Sequence, residues 1–156
     1  MSILRPKFQD KILVNSQSTD DLLNGVIRAI KDSDKQAKAI APLFRRKSKI
    51  TTCFLIYEFL RKNVPYQRES ANGQTVRTVA RILHDKHGDC KHYAIFSASI
   101  LRALNIPFKL RLISQDHHDP EPKHIYVVCD DIVLDPVLKT FNNEAQYKHK
   151  YDYKLK

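Results

Sequence analysis

Gly88-Asp89-Cys90-Lys91-His92-Tyr93-Ala94, continued through Leu101-Arg102-Ala103-Leu104-Asn105-Ile106-Pro107, decides the reading of this 156-residue chain. Asp89 is a helix-capping residue, and Cys90, Ala94, Ala98 (beside Ser97), Leu101 and Leu104 follow it as one helical stripe. Asn105 tolerates the left-handed conformation that ends a helix, and Pro107 forbids continuation. Cys90 therefore opens the helix. Free N–H groups and the dipole at that end favour a thiolate over a thiol. The stripe turns Cys90 toward whatever the helix packs against, and the strands that follow it in sequence are the expected partner.

Downstream, Phe108, Leu110 and Leu112 alternate with Lys109, Arg111 and Ile113, which reads as a strand. After a polar loop at His118–Pro122, Ile125–Cys129 and Ile132–Asp135 form two β-rich runs separated only by Asp130-Asp131. A two-residue turn pairs Cys129 with Ile132 and Tyr126 with Asp135. His124 shares a face with Tyr126, because strand side chains alternate. His124 and Asp135 then become diagonal neighbours, about 7–8 Å apart at the backbone and within side-chain reach. Any even-length loop preserves that agreement. A thiolate nucleophile needs an imidazole, and the imidazole needs an orienting acid or amide; the hairpin supplies both.

Upstream, Ser18-Thr19-Asp20-Asp21 starts a helix carried to about Lys31 by Leu22, Leu23, Val26, Ile27 and Ile30. A shorter helix spans about Asp34 to Ile40 and is interrupted at Pro42. Residues 50–62 read as a helix with Ile50, Phe54, Tyr57 and Leu60 along one side, stopped before Pro65. Ser70–Gly73 is a turn, and Thr75 to His84 reads as a further short helix using Val76, Val79, Ala80 and Leu83. The tail from Tyr147 alternates Tyr with charge, which fits either an edge strand or a mobile basic end.

The chain carries a formal charge of +10 from 27 Lys plus Arg against 17 Asp plus Glu. The excess is +6 in residues 1–50, +3 in 51–100 and +1 in 101–156. Arg45, Arg46, Lys47 and Lys49 form the densest basic cluster, a candidate surface for nucleic acid or another polyanion. It lacks interleaved aromatics, so solvation of a loop is the competing reading. Three Cys, at 53, 90 and 129, are too few and too spread for a secreted disulfide framework and fit reduced thiols in a cytoplasmic setting. Cys53 and Cys129 sit among apolar residues and read as core thiols. Charge and Pro interrupt the N-terminus before any signal-length apolar stretch, and no apolar run is long enough to span a bilayer.

Gly88-Asp89-Cys90 opening a helix that ends Leu101-Arg102-Ala103-Leu104-Asn105-Ile106-Pro107-Phe108 resembles the transglutaminase-like superfamily. Lys123-His124-Ile125-Tyr126-Val127 matches that family's His strand, and Val133-Leu134-Asp135-Pro136 its Asp-Pro strand. The resemblance covers about residues 50–138. It implies Cys90 as nucleophile, His124 as acid/base and Asp135 as the orienting carboxylate. Gln74-Thr75-Val76-Arg77 resembles a Gln segment of small bacterial and phage members, so a virion-associated protein is one expected setting. In papain-like chemistry an upstream donor helps stabilise the oxyanion; Gln74 is the candidate and Gln67 the alternative, against an ordinary solvated glutamine. His92 and Tyr93 depart from the acidic or small residues common after the Cys, which implies a differently shaped mouth. The chain lacks the extra domains and calcium sites of large animal transglutaminases, which argues against crosslinking.

The competing chemistry is metal binding by His84, His87, Cys90 and His92, with His117-His118 nearby. That string straddles the break at Gly88, and no second paired motif completes a zinc site, so neither metal nor cofactor is expected. The expectation is one compact α+β domain with a papain-like, transglutaminase-like core. Residues 1–45 form an N-terminal helical segment, and 46–156 the catalytic core with the Cys helix packed on a small antiparallel sheet. The expected function is a thiol peptidase or amidase acting on a peptide or protein substrate. The alternatives are a transamidating crosslinker and a non-catalytic basic protein binding nucleic acid or an acidic partner.

Overall fold

A computed structural model describes Lys7, residues 10–14 and residues 18–155 of the chain. The N-terminal stretch read for targeting signals lies mostly outside the described residues. Among the described residues, no helix is long and apolar enough to cross a membrane.

The described residues form five α-helices: α1 (Thr19–Asp32), α2 (Asp34–Ile40), α3 (Lys49–Asn63), α4 (Val79–Asp85) and α5 (Cys90–Ala103). Six strands, β1 (Lys11–Leu13), β2 (Thr75–Arg77), β3 (Lys109–Ser114), β4 (His124–Cys129), β5 (Ile132–Leu134) and β6 (His149–Tyr153), form two antiparallel sheets. One is the pair β1-β2, and the other has the order β5-β4-β3-β6. The α+β expectation holds.

Helix α5 is the centre of the molecule. Every residue from Lys91 to Leu101 is buried, so the helix packs on all sides rather than along one stripe. Fully burying Ile95, Phe96, Ile100 and Leu101 contributes about 1.5–3 kcal/mol each before entropy is counted. Its C-terminus closes as expected: Asn105 has φ 58°. Ile106 N–H donates to Leu101 O, and Asn105 N–H to Arg102 O, the paired bonds of a Schellman ending. Helices α1, α2 and α3 pack around α5, and the sheet meets it through β4.

The sheet has two covered faces. Leu110, Leu112, Ile125, Val127 and Cys129 join the main core against α5, while Ile113, Tyr126, Val128 and Val133 form a smaller cluster with Ala145. The hairpin has the expected register, Cys129 opposite Ile132 and Val127 opposite Leu134. Asp130 takes the positive φ of 56° at this two-residue turn, which its short side chain tolerates. The tail is an edge strand: β6 pairs with β3 from Leu110–Tyr153 to Ser114–His149.

Two local expectations are corrected. Thr75–Arg77 is a strand, not the start of a helix, because it pairs with Lys11–Leu13 far away in sequence; α4 begins only at Val79. Helix α3 buries Thr52, Cys53, Ile56, Tyr57 and Leu60, whereas Ile50 and Phe54 are exposed. Phe54 instead packs edge-on against Phe141 with centroids 5.3 Å apart.

Candidate active site

Asp89 is the N-cap of α5 and its side chain accepts from Lys91 N–H at 3.2 Å. His92 completes a reciprocal capping box, its Nδ1 accepting from Asp89 N–H at 3.0 Å in place of the usual Glu or Gln. The other ring nitrogen, Nε2, lies 3.0 Å from Thr75 O and donates to it. Burial pushes the His92 pKa down, which fits a neutral ring with Nδ1 as acceptor. Tyr93 donates to Val64 O at 2.6 Å. Both side chains are buried, so neither shapes the mouth of the site as their departure from the family pattern implies.

Cys90 is partly exposed and lines a cleft together with His124, Gln74 and Lys91. His124 Nε2 lies 2.6 Å from Asp135 Oδ2, confirming the diagonal contact expected from hairpin parity. Asp135 is 3% exposed, and its other oxygen accepts from Val137 N–H at 3.3 Å. Tyr126 lies against the His124 ring with centroids 5.3 Å apart. It donates to Glu144 at 2.5 Å, and Glu144 is held by Arg111 at 2.7 Å. With Nε2 committed to Asp135, Nδ1 is the ring nitrogen left for Cys90. Burial alone lowers the His124 pKa, but hydrogen bonds and negative charge from Asp135 and then Cys90 outweigh it and raise it to about 10.

Beneath this cleft is a buried ionic cluster that sequence reasoning missed. Lys91 Nζ sits 2.7 Å from Glu69 Oε1 and 2.6 Å from Asp89 Oδ2. Arg77, 1% exposed, bonds Thr75 Oγ1, Asp85, Glu69 and His87 O. Glu69, Asp89 and His92 present donor atoms within 4.8 Å of one another, but the Lys91 ammonium already bridges the two carboxylates. Of the other residues in the metal reading, His84 is exposed and pairs with Asp85.

Gln74 lines the cleft, but its amide donates to Glu69 O at 3.2 Å and Ser70 O at 2.8 Å. It reaches a bound oxyanion only by giving up one of those bonds. Gln67 is exposed, and its backbone N–H donates to Gly88 O. Tyr66 bridges to Gly88, and burial together with the nearby negative charge of Cys90 and Asp89 raises its phenol pKa. No motif marks Tyr66 in the sequence.

Cys53 and Cys129 are 0% exposed. Hydrogen bonding to Cys129, then burial, pushes the Cys53 thiol far up, while the same bond lowers Cys129; their enclosure keeps both from reagents. The basic run 45–49 lies outside the lining of the cleft. Arg45 donates to Leu104 O, Arg46 to Leu43 O and Arg45 O, and Lys49 to Asp130 at 3.0 Å.

The family model described as the transglutaminase-like superfamily matches residues 38–151. The chain belongs to that superfamily. Its transglutaminase-like core thus takes in the Cys helix and the His–Asp hairpin, while α1 precedes the matched span. A crystal structure of a "putative cysteine protease" from Cytophaga hutchinsonii is similar at a TM-score of 0.49 and 19% identity. The similarity covers 71% of this chain and 41% of that one, so this transglutaminase-like chain spans less than half the length of that protein. No curated protein matches the chain.

Proposed function

We propose that this chain is a thiol acyl-transfer enzyme in which Cys90, His124 and Asp135 act as a triad, hydrolysing an amide bond of a peptide or protein. The observation that carries the reading is the His124 ring, bonded to the Asp135 carboxylate at 2.6 Å, on the wall of the same cleft that Cys90 lines. An imidazolium there balances a Cys90 thiolate in the resting site. The thiolate attacks the amide carbonyl, forming an S–C bond and a tetrahedral oxyanion. Collapse breaks the C–N bond as His124 gives its proton to the departing amine. Water then attacks the thioester while His124 takes its proton; the acid departs and the thiolate–imidazolium pair is restored. Cys90 N–H, at the start of α5, is a backbone donor for the oxyanion, and Gln74 is the side-chain candidate that has to reorient first. Hydrolysis is favoured over transamidation because Cys90 is partly exposed to solvent, and selecting an amine over water requires a site that excludes water.

Iodoacetamide titration followed by peptide mass mapping tests the nucleophile. Cys90 is expected to alkylate below pH 7 while Cys53 and Cys129 do not. Labelling of all three only near pH 8–9 overturns the reading, as does undiminished amide turnover by a Cys90→Ala variant.

A further inference from the structure

The cleft at Cys90 has an apolar side wall that comes from outside the family-matched span. Leu22, Leu23 and Val26 of α1 face Leu112 of β3 and Ile125 of β4 across it. Val26, Leu112 and Ile125 are buried at 1%, 7% and 8% exposure. Leu22 is only half-buried and stands apart from the residues packed on the core. An apolar side chain on a helix that remains half-open beside a polar reacting group is surface left for a ligand to cover. The wall is held in place across the mouth: Thr19 N–H donates to Glu121 at 3.2 Å, and the Thr19 hydroxyl bonds the same carboxylate. The volume of this open cleft is about 220 Å³, below the roughly 300–1,000 Å³ of pockets that take a whole small-molecule ligand. It suits one side chain. Past Glu121 the cleft continues into a second pocket of about 350 Å³ that reaches Tyr151 and Tyr153, giving an extended chain somewhere to run.

We propose that this pocket is the specificity subsite for the acyl portion of the substrate, and that it takes a branched aliphatic side chain next to the scissile carbonyl. The assignment rests on the thiol acyl-transfer reading above. The lining includes Cys90 as well as His124, and of the two portions of the substrate only the acyl one becomes bonded to Cys90. The pocket therefore lies beside the sulfur that keeps the acyl group after the amine has left. Burying a leucine-sized side chain there, relative to none, is expected to change the rate of attack roughly 10–100-fold.

The test uses a matched series of N-acetyl aminoacyl chloromethyl ketones (Leu, Val, Gly, Asp, Lys), with iodoacetamide as a side-chain-free reagent. Each alkylates a thiolate with loss of its halide, chloride from the ketones and iodide from iodoacetamide, and intact mass gives the rate at Cys90. The Leu and Val reagents are expected to exceed Gly by at least about tenfold, with Asp and Lys below Gly. Leu22→Asp is expected to abolish the Leu-over-Gly ratio and Leu22→Met to retain it; thermal unfolding checks that both variants fold. The ratio is internal to each variant, so a general loss of reactivity does not mimic loss of the subsite. If iodoacetamide labels Cys90 but Leu does not outpace Gly, the subsite is wrong and the nucleophile stands. If iodoacetamide also fails at Cys90, the thiol reading falls and the subsite falls with it.

Discussion

His124 is bonded to the Asp135 carboxylate and shares the cleft with Cys90, and its protonation state sets what the cleft can do. Its pKa is raised from an ordinary 6.5 to about 10. The stability drawn from this raised value is therefore complete below about pH 6.5 and is lost as pH rises through about 10. Histidine resonances followed by NMR titration are expected to show the ring still protonated at about pH 8 in the wild-type protein. In Asp135→Asn the pKa falls, because the hydrogen bond that most strongly raises it becomes a neutral amide contact; in Cys90→Ala it falls by less. A His124 that titrates near 6.5 in all three proteins refutes the shared-ring arrangement. The His–Asp contact was legible in the sequence because hairpin parity is local and a two-residue turn leaves no freedom in register. The state of Gln74 was not. Which carbonyls its amide meets depends on the path of residues 69–73, and nothing in the composition of that turn encodes it.

At the scale of the element, the start of α5 explains why glycine precedes the Asp-Cys pair. A Cβ at Gly88 would lie 2.7 Å from the Cβ of His92, and His92 cannot retreat without losing its bonds to Asp89 N–H and Thr75 O. Gly88→Ala is therefore expected to cost about 1–3 kcal/mol in urea unfolding and to slow iodoacetamide labelling of Cys90 as the first turn shifts. A variant as stable as wild type shows that the approach is slack. Helix α5 and the β4–β5 hairpin were readable because cap, stripe, turn and strand alternation all lie within a few residues of one another. Strand β2 was not, because its partner Lys11–Leu13 is more than sixty residues away and Thr-Val-Arg suits helix or strand equally. The buried face of α3 was misplaced for a related reason: Phe54 is satisfied by Phe141 from another part of the chain.

At the scale of the whole molecule, the cluster under the cleft ties four successive segments between residues 69 and 91 into one unit. Glu69 comes from the 64–70 connection, Arg77 from β2, Asp85 from the end of α4, and Asp89 and Lys91 from the start of α5. Burial opposes ionisation of Glu69, Asp85 and Asp89, yet each pKa is lowered: Lys91 and Thr75 hold Glu69, His84, Arg81 and Arg77 hold Asp85, and Lys91, through its ammonium and its backbone N–H, holds Asp89. Carboxyls with depressed pKa values stabilise the fold above their unfolded values, about 4–4.5, and lose that contribution as pH falls through the folded ones. Urea unfolding is thus expected to report a stability that begins to fall below about pH 6.5, where the buried neutral His92 resists protonation, and falls further below about 4.5 as these carboxyls take up protons. Arg77→Met removes the central cation while keeping much of its buried volume. It strands Glu69 and Asp85 as partly uncompensated charges, at an expected cost of about 3–5 kcal/mol at pH 7. Because the lost interactions need ionised carboxylates, the gap between wild type and variant should narrow as the pH drops to about 3. A cost below about 1 kcal/mol at pH 7, or a gap that does not change with acid, means the cluster does not hold these segments together and packing around α5 does so alone.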